Sequence, residues 1–341
     1  IFCFDYATMI SAPHFFSSPA AMADIDPNLR ALLLETIQVQ RKGARVPRKS
    51  ELRLDAKYNA RYLLKVARHA SLPEITTLLR ASGIREKGLT CVRSGDTTTG
   101  AELLREARRT VSVASLSKEA LLSAESFQYP AEAYLQYKNG EYNRAEASLV
   151  RSIMLCHVLR DEYDHQVEVR RIHLARNVVR VKTLAGNREE ALRIASLLVG
   201  YVEGDQAQWP LPELPMTSAP DPLLADERWA LLDQVLGEIA LLVTRRRATS
   251  RELVSGSAGW LFTGGSKAVG DFARVHAWLA ARRASIEGDV GGFLAHGIAF
   301  FAEGRGSLSM AWRELTLDLA ALCRDIAPEE LASMGASEVQ A

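Results

Sequence analysis

Tyr137-Lys138-Asn139-Gly140-Glu141-Tyr142, followed by Ala145 and Leu149, and Leu184-Ala185-Gly186-Asn187-Arg188, followed by Ala191 and Ala195, carry the same instruction. A glycine able to take the left-handed conformation ends one helix, and a polar residue opens the next. A small residue five positions after the glycine then lets the two helices close up. The copies lie 46 residues apart, and self-similarity at such a period predicts antiparallel helical hairpins stacked on one another. The fold class that follows is all-α, an α-solenoid in two blocks.

Working outward, apolar spacing predicts helices over residues 101–115, 117–138, 142–159, 161–184 and 188–202. Upstream, helices are expected at 28–40, at 50–69 behind a Ser50 cap, and from Pro73 to a stop at Gly83. Three glycines and a threonine run make 84–100 an irregular connection or a short helix with frayed ends. Pro210, Pro212, Pro215, Pro220 and Pro222 are too dense for any helix, so residues 204–222 read as a semi-rigid linker. Beyond it, helices are expected at 223–246, 267–287, 289–302 and 307–326. The resulting division is a non-native or disordered leader over 1–21, an amino-terminal block over 22–203, the linker, and a carboxy-terminal block over 223–341.

The chain has 341 residues, 48% hydrophobic and 24% charged, which excludes a disordered class. Cys3, Cys91, Cys156 and Cys323 show no Cys-x-x-Cys pair or metal spacing, which fits free thiols in a reducing, cytoplasmic setting. The residues before Met22 lack the basic start of a signal peptide. The most apolar helix, near Trp229, is interrupted by Asp233 and Glu238, so no membrane partner is expected. The helix that includes Val269, Phe272, His276 and Leu279 on one face and Trp278 on another is expected to lie between neighbours.

Ala133, Tyr137, Gly140, Tyr142 and Ala145, with Gly186, Ala191 and Leu198 in the second copy, resemble the tetratricopeptide family over residues 127–202. Arg188 replaces the aromatic after the second glycine, and the family's helix-ending proline is missing from both copies. The period exceeds the family's 34 residues by about three helical turns shared between two helices, and it also fits the HEAT or armadillo length. The resemblance implies a non-catalytic protein- or peptide-binding scaffold whose first-helix side chains, Tyr134, Tyr137, Arg176, Arg180 and Lys182, face a groove.

Between Arg41 and Arg68 the chain carries ten Lys or Arg against Glu51 and Asp55. Arg53, Lys57, Arg61, Lys65 and Arg68 fall within an arc of roughly 120° on one helix. This stripe suits an acidic peptide segment, or phosphates, or is simply solvated. A nucleic-acid-binding regulator is the first alternative, with residues 72–88 as a helix-turn-helix whose turn is Ser82-Gly83-Ile84. A helical-bundle enzyme or metal-binding accessory protein is the second. Its motif would be Glu162-x-x-His165, of which the chain has one copy. Gly264-Gly265-Ser266-Lys267 departs from a phosphate loop, because Gly265 stands where lysine is required. No catalytic residue, cofactor or metal ligand is assigned.

Overall fold

The computed structural model describes residues 26–44, 61, 64–204, 209–211, 221–244, 272–306 and 308–326. Every regular element among the described residues is a helix: α1 (Pro27–Ala44), α2 (Leu72–Arg93), α3 (Thr97–Ser112), α4 (Lys118–Lys138), α5 (Tyr142–Tyr163), α6 (Glu168–Leu184), α7 (Arg188–Glu203), α8 (Ala225–Thr244), α9 (Ala273–Glu287), α10 (Val290–Phe301) and α11 (Ser309–Ile326). The leader, most of the 50–69 helix, Trp260, the 256–270 loop and much of the proline-rich segment lie outside the described residues.

The two turns first quoted share one geometry. Gly140 and Gly186 take φ of +77° and +88°. The amide that follows reaches back five residues, Glu141 N to the Gln136 carbonyl at 2.8 Å and Asn187 N to the Lys182 carbonyl at 3.0 Å. That bond satisfies a carbonyl which the ending helix leaves open. Two further turns repeat it. Gly95 (φ +94°) and Gly288 (φ +83°) are followed by Asp96 N to Cys91 O and Asp289 N to Ala284 O, both 2.9 Å. Gly95 precedes Gly140 by 45 residues, so it continues the period one copy upstream.

In that upstream copy Gly100 holds the place of Ala145 and Ala191. Both alanines are fully buried, and Gly100 is tighter still: a Cβ there would collide with Val92 and lie 3.1 Å from the Gly88 carbonyl. Gly88 reciprocates, since its own Cβ would meet the Gly100 carbonyl at 3.2 Å. The α2–α3 hairpin is therefore closed backbone to backbone by two glycines.

Helix α2 does not stop at Gly83. It continues ten residues further, because Ala81, Arg85, Gly88, Leu89 and Val92 form one buried stripe across the glycine. An exposed Gly costs a helix only about 1 kcal/mol relative to Ala, less than the burial on either side supplies. The helix-turn-helix expected over 72–88 is thus a single continuous helix, and the connection expected at 84–100 is a helix end, a tight turn and the start of α3.

The chain forms two compact units. One holds the described residues from 61 to Leu231, and the other holds α1 with everything described from Leu232 onward. Helix α1, expected in the amino-terminal block, therefore belongs with the carboxy-terminal helices. The division falls inside α8 rather than in the proline-rich segment.

In the first unit α2 pairs with α3, α4 with α5 and α6 with α7, while α4 also packs on α2 and α3, and α6 on α5. Glu74 joins two helix starts. Its carboxylate accepts from the Ser71 amide and hydroxyl at 2.8 Å each, and from the Ser117 amide at 2.7 Å. Those amides, Ser117 first, hold its pKa down at about 2. Helix α5 ends at Asp164, a non-glycine residue with φ 53°. This is why the helix expected from residue 161 begins only at Glu168.

In the second unit α10 packs on α9 and α1, and α11 on α9. Gly43 of α1 admits the Trp312 ring, which a Cβ would strike, and Trp312 lies edge-on to Phe301 at 4.7 Å. Trp278 is fully buried and donates its indole N–H to the Ala311 carbonyl at 2.9 Å. Asp233 caps α11 from a distance, accepting from Met310 N at 3.0 Å and Ala311 N at 3.1 Å.

The contrast between two helical glycines is testable by urea denaturation. Gly83→Ala, with nothing within 4 Å of its Cβ, is expected to stabilise the protein by about 1 kcal/mol. Gly100→Ala, which drives a methyl into Val92, is expected to cost about 1–3 kcal/mol.

Candidate functional site

The first helices of the three consecutive hairpins, α2, α4 and α6, bring cations and aromatic rings together. Phe127 of α4 lies 5.3 Å from the Arg85 guanidinium of α2 and 4.4 Å from that of Arg170 of α6. Two turns along α4, Tyr134 is again between the flanking helices. Burial raises its hydroxyl pKa, while Arg93 of α2 and Arg180 of α6 act against the rise. Tyr134 stacks on Tyr137 at 6.2 Å, and the Lys138 ammonium sits 5.7 Å from its ring.

A proline holds this arrangement in register. Pro130 lies inside α4 and has no N–H to give the carbonyl four residues back. That carbonyl, on Ser126, accepts instead from the Ser152 hydroxyl of α5 at 2.7 Å and from Arg170 Nη2 at 3.2 Å. One missing helical bond thereby ties α4 to both α5 and α6.

Of the residues singled out in the sequence, Tyr134, Arg176 and Arg180 are buried and Tyr137 is half-buried. Arg176 donates to Asn177 Oδ1 at 2.8 Å, and Lys182 pairs with Glu146 of α5 at 2.7 Å. The expected groove side chains therefore share one region, but most of them are packed rather than open to solvent. In the basic stripe, Arg53 and Lys57 lie outside the described residues. Arg61 pairs with Glu227 at 3.0 Å. Lys65 pairs with Asp164 at 3.1 Å and also donates to its carbonyl, capping α5. Arg68 is exposed. The Glu162-x-x-His165 motif splits, Glu162 going to Lys118 at 2.6 Å and His165 to Glu119 at 2.7 Å. Among the described residues no group of His, Cys, Asp and Glu is placed to hold a metal. None of the helices there is long and apolar enough to cross a membrane.

A second cluster, which no sequence pattern marked, joins α5, α6, α7 and Trp209. Glu168, 3% exposed, accepts from Arg171 Nη1 at 2.9 Å and from the Tyr201 hydroxyl at 2.6 Å, and Arg160 Nη1 stands 3.9 Å away. The Trp209 ring lies 4.2 Å beneath the Arg171 guanidinium and 5.2 Å from the Tyr201 ring. Trp209 and Leu211, inside the stretch expected as linker, are thus core residues of this unit. Desolvation raises the Glu168 pKa against the pull of Arg171 and Tyr201, and it raises that of Tyr201. His157 is driven down to about 4 by burial, with Arg171 and Arg160 adding to the shift. Cys156 is pushed up to about 11 by burial, which leaves its thiol protonated and unreactive.

No family model, curated protein or solved structure matches the chain.

His157 makes stability depend on pH in a definite direction. Its folded pKa of about 4 lies below the ordinary 6.5, so the unfolded chain binds the extra proton between those values. Stability is full above pH 6.5 and falls as pH drops towards 4. Thermal unfolding across that window is expected to show a shallower slope in His157→Leu. Tyr201→Phe, which strips a donor from buried Glu168, is expected to cost about 1–3 kcal/mol in the same measurement at pH 7.

Proposed function

We propose that the chain is a cytoplasmic, non-catalytic scaffold, a divergent tetratricopeptide-like α-solenoid that binds an acidic peptide or protein segment along the first helices of its hairpins. The observation that carries this reading is the Arg–aromatic alternation across α2, α4 and α6, with Phe127 and Tyr134 each set among guanidiniums of neighbouring helices. Rings and cations spaced along adjacent helices suit an extended chain with carboxylates, each contact being modest and their sum selective. The buried members shape the surface, and the contact itself falls to the rim, where Lys138 is exposed and Arg93, which pairs with Glu86 at 3.2 Å, has a side chain 31% exposed. The repeated glycine turn supports the family part of the proposal.

The nucleic-acid reading loses two of its supports. Its turn lies within a continuous helix, and two members of its basic stripe are engaged in ion pairs inside the unit.

Fluorescence anisotropy with a labelled oligoglutamate peptide and with duplex DNA tests the choice. The expected result is peptide binding that weakens with added salt and is lost when Arg93→Glu and Lys138→Glu are combined. Binding of the DNA in place of the peptide overturns the proposal.

A further inference from the structure

Two buried guanidiniums share one buried carboxylate in the α5–α6–α7 cluster. Arg160 and Arg171 are 7% and 0% exposed, and both approach the same Glu168 oxygen. Nη1 and Nη2 of Arg160, Nε and Nη2 of Arg171 and the indole nitrogen of Trp209 are buried, with no hydrogen-bond partner among the described residues. A buried cation without its full set of acceptors is among the costliest arrangements in a protein interior, so each such donor calls for an acceptor.

Among the described residues, the carboxylates paired with these groups do not supply one. Glu168 spends one oxygen on Tyr201 and the other on Arg171. Asp161 takes Arg160 Nε at 3.1 Å, and its side chain is 29% exposed. Asp221 accepts from the Val167 amide at 3.2 Å. Arg170 adds a third buried cation close by, already committed to the Ser126 carbonyl. What remains is a set of donors on two planar forks and an indole, around a local excess of buried positive charge.

We infer that Arg160, Arg171 and Trp209 form an internal site for a small oxyanion, a phosphate or carboxylate group, entering from the side of Asp161. Guanidinium forks match both groups in geometry, and an indole N–H supplies a third donor of the same kind. The site lies on α5, α6 and the segment after α7, apart from the rim at Arg93 and Lys138. It therefore stands or falls independently of peptide binding there.

Equilibrium dialysis of the full-length chain with radiolabelled inorganic phosphate, and with acetate as competitor at matched ionic strength, reads the site directly. The expected result is one phosphate per chain. Displacement by acetate marks the site as one for carboxylates as well, and resistance to acetate marks it as specific for phosphate. Arg160→Met is expected to weaken binding about tenfold or more. Trp209→Phe, which keeps an aromatic ring there and removes the N–H donor, is expected to weaken it about fivefold. The surface control Arg193→Met is expected to leave it unchanged. No binding of phosphate or acetate to the wild-type chain overturns the inference, as does binding that both Arg160→Met and Trp209→Phe leave intact.

Discussion

A helix can reverse within a few residues only if its last open carbonyls find donors, and the left-handed glycine is what permits this. At Gly95, Gly140, Gly186 and Gly288 the backbone turns to positive φ, and the next amide bonds five residues back. The turn fixes where each second helix begins, and the next requirement falls on the residue five positions on. After the first three turns Gly100, Ala145 and Ala191 are the small side chains that let the helices close, whereas after Gly288 the place falls to the buried Phe293. The placing of α2, α4 and α6 side by side follows from these turns, and so does the meeting of their arginines and aromatic rings.

Much of this was legible in the sequence where a residue's local preference and its burial agree. The hairpins at Gly140 and Gly186 could be read because a glycine, a polar opener and an alanine coincide in both. The copy at Gly95 has the same physics but was hidden, since Gly100 replaces the alanine and the nearby threonines and glycines suggest irregular chain. Gly83 misled for the opposite reason: its propensity argues for a stop, yet it lies on the exposed side of a helix whose buried stripe runs past it. The split Glu162 and His165 show that helical spacing alone does not bring two side chains to one point when a left-handed Asp164 intervenes.

The buried cluster around Glu168 was beyond the reach of pattern. Its members come from α5, α6, α7 and a tryptophan in a stretch that proline density marks as linker. No period connects Arg160, Arg171, Tyr201 and Trp209. Only the stacking of one hairpin against the next creates a common interior for them, and there desolvation turns ordinary side chains into costly ones. The same stacking gives Pro130 its role, because a helix-breaking residue becomes useful once Arg170 and Ser152 are near enough to take the carbonyl it frees.

The association of α1 with α10 bears on the order in which the protein is made. Thr36 of α1 and the Leu294 carbonyl of α10 meet at 3.5 Å across 258 residues of sequence. The hairpins of the first unit involve only neighbours, so each can close soon after it leaves the ribosome. Helix α1 is synthesised before all of them, and its packing on α10 waits until that helix has been made. The α1–α10 contact is thus the long-range step in building the second unit, slower to form than any hairpin closed by a glycine turn.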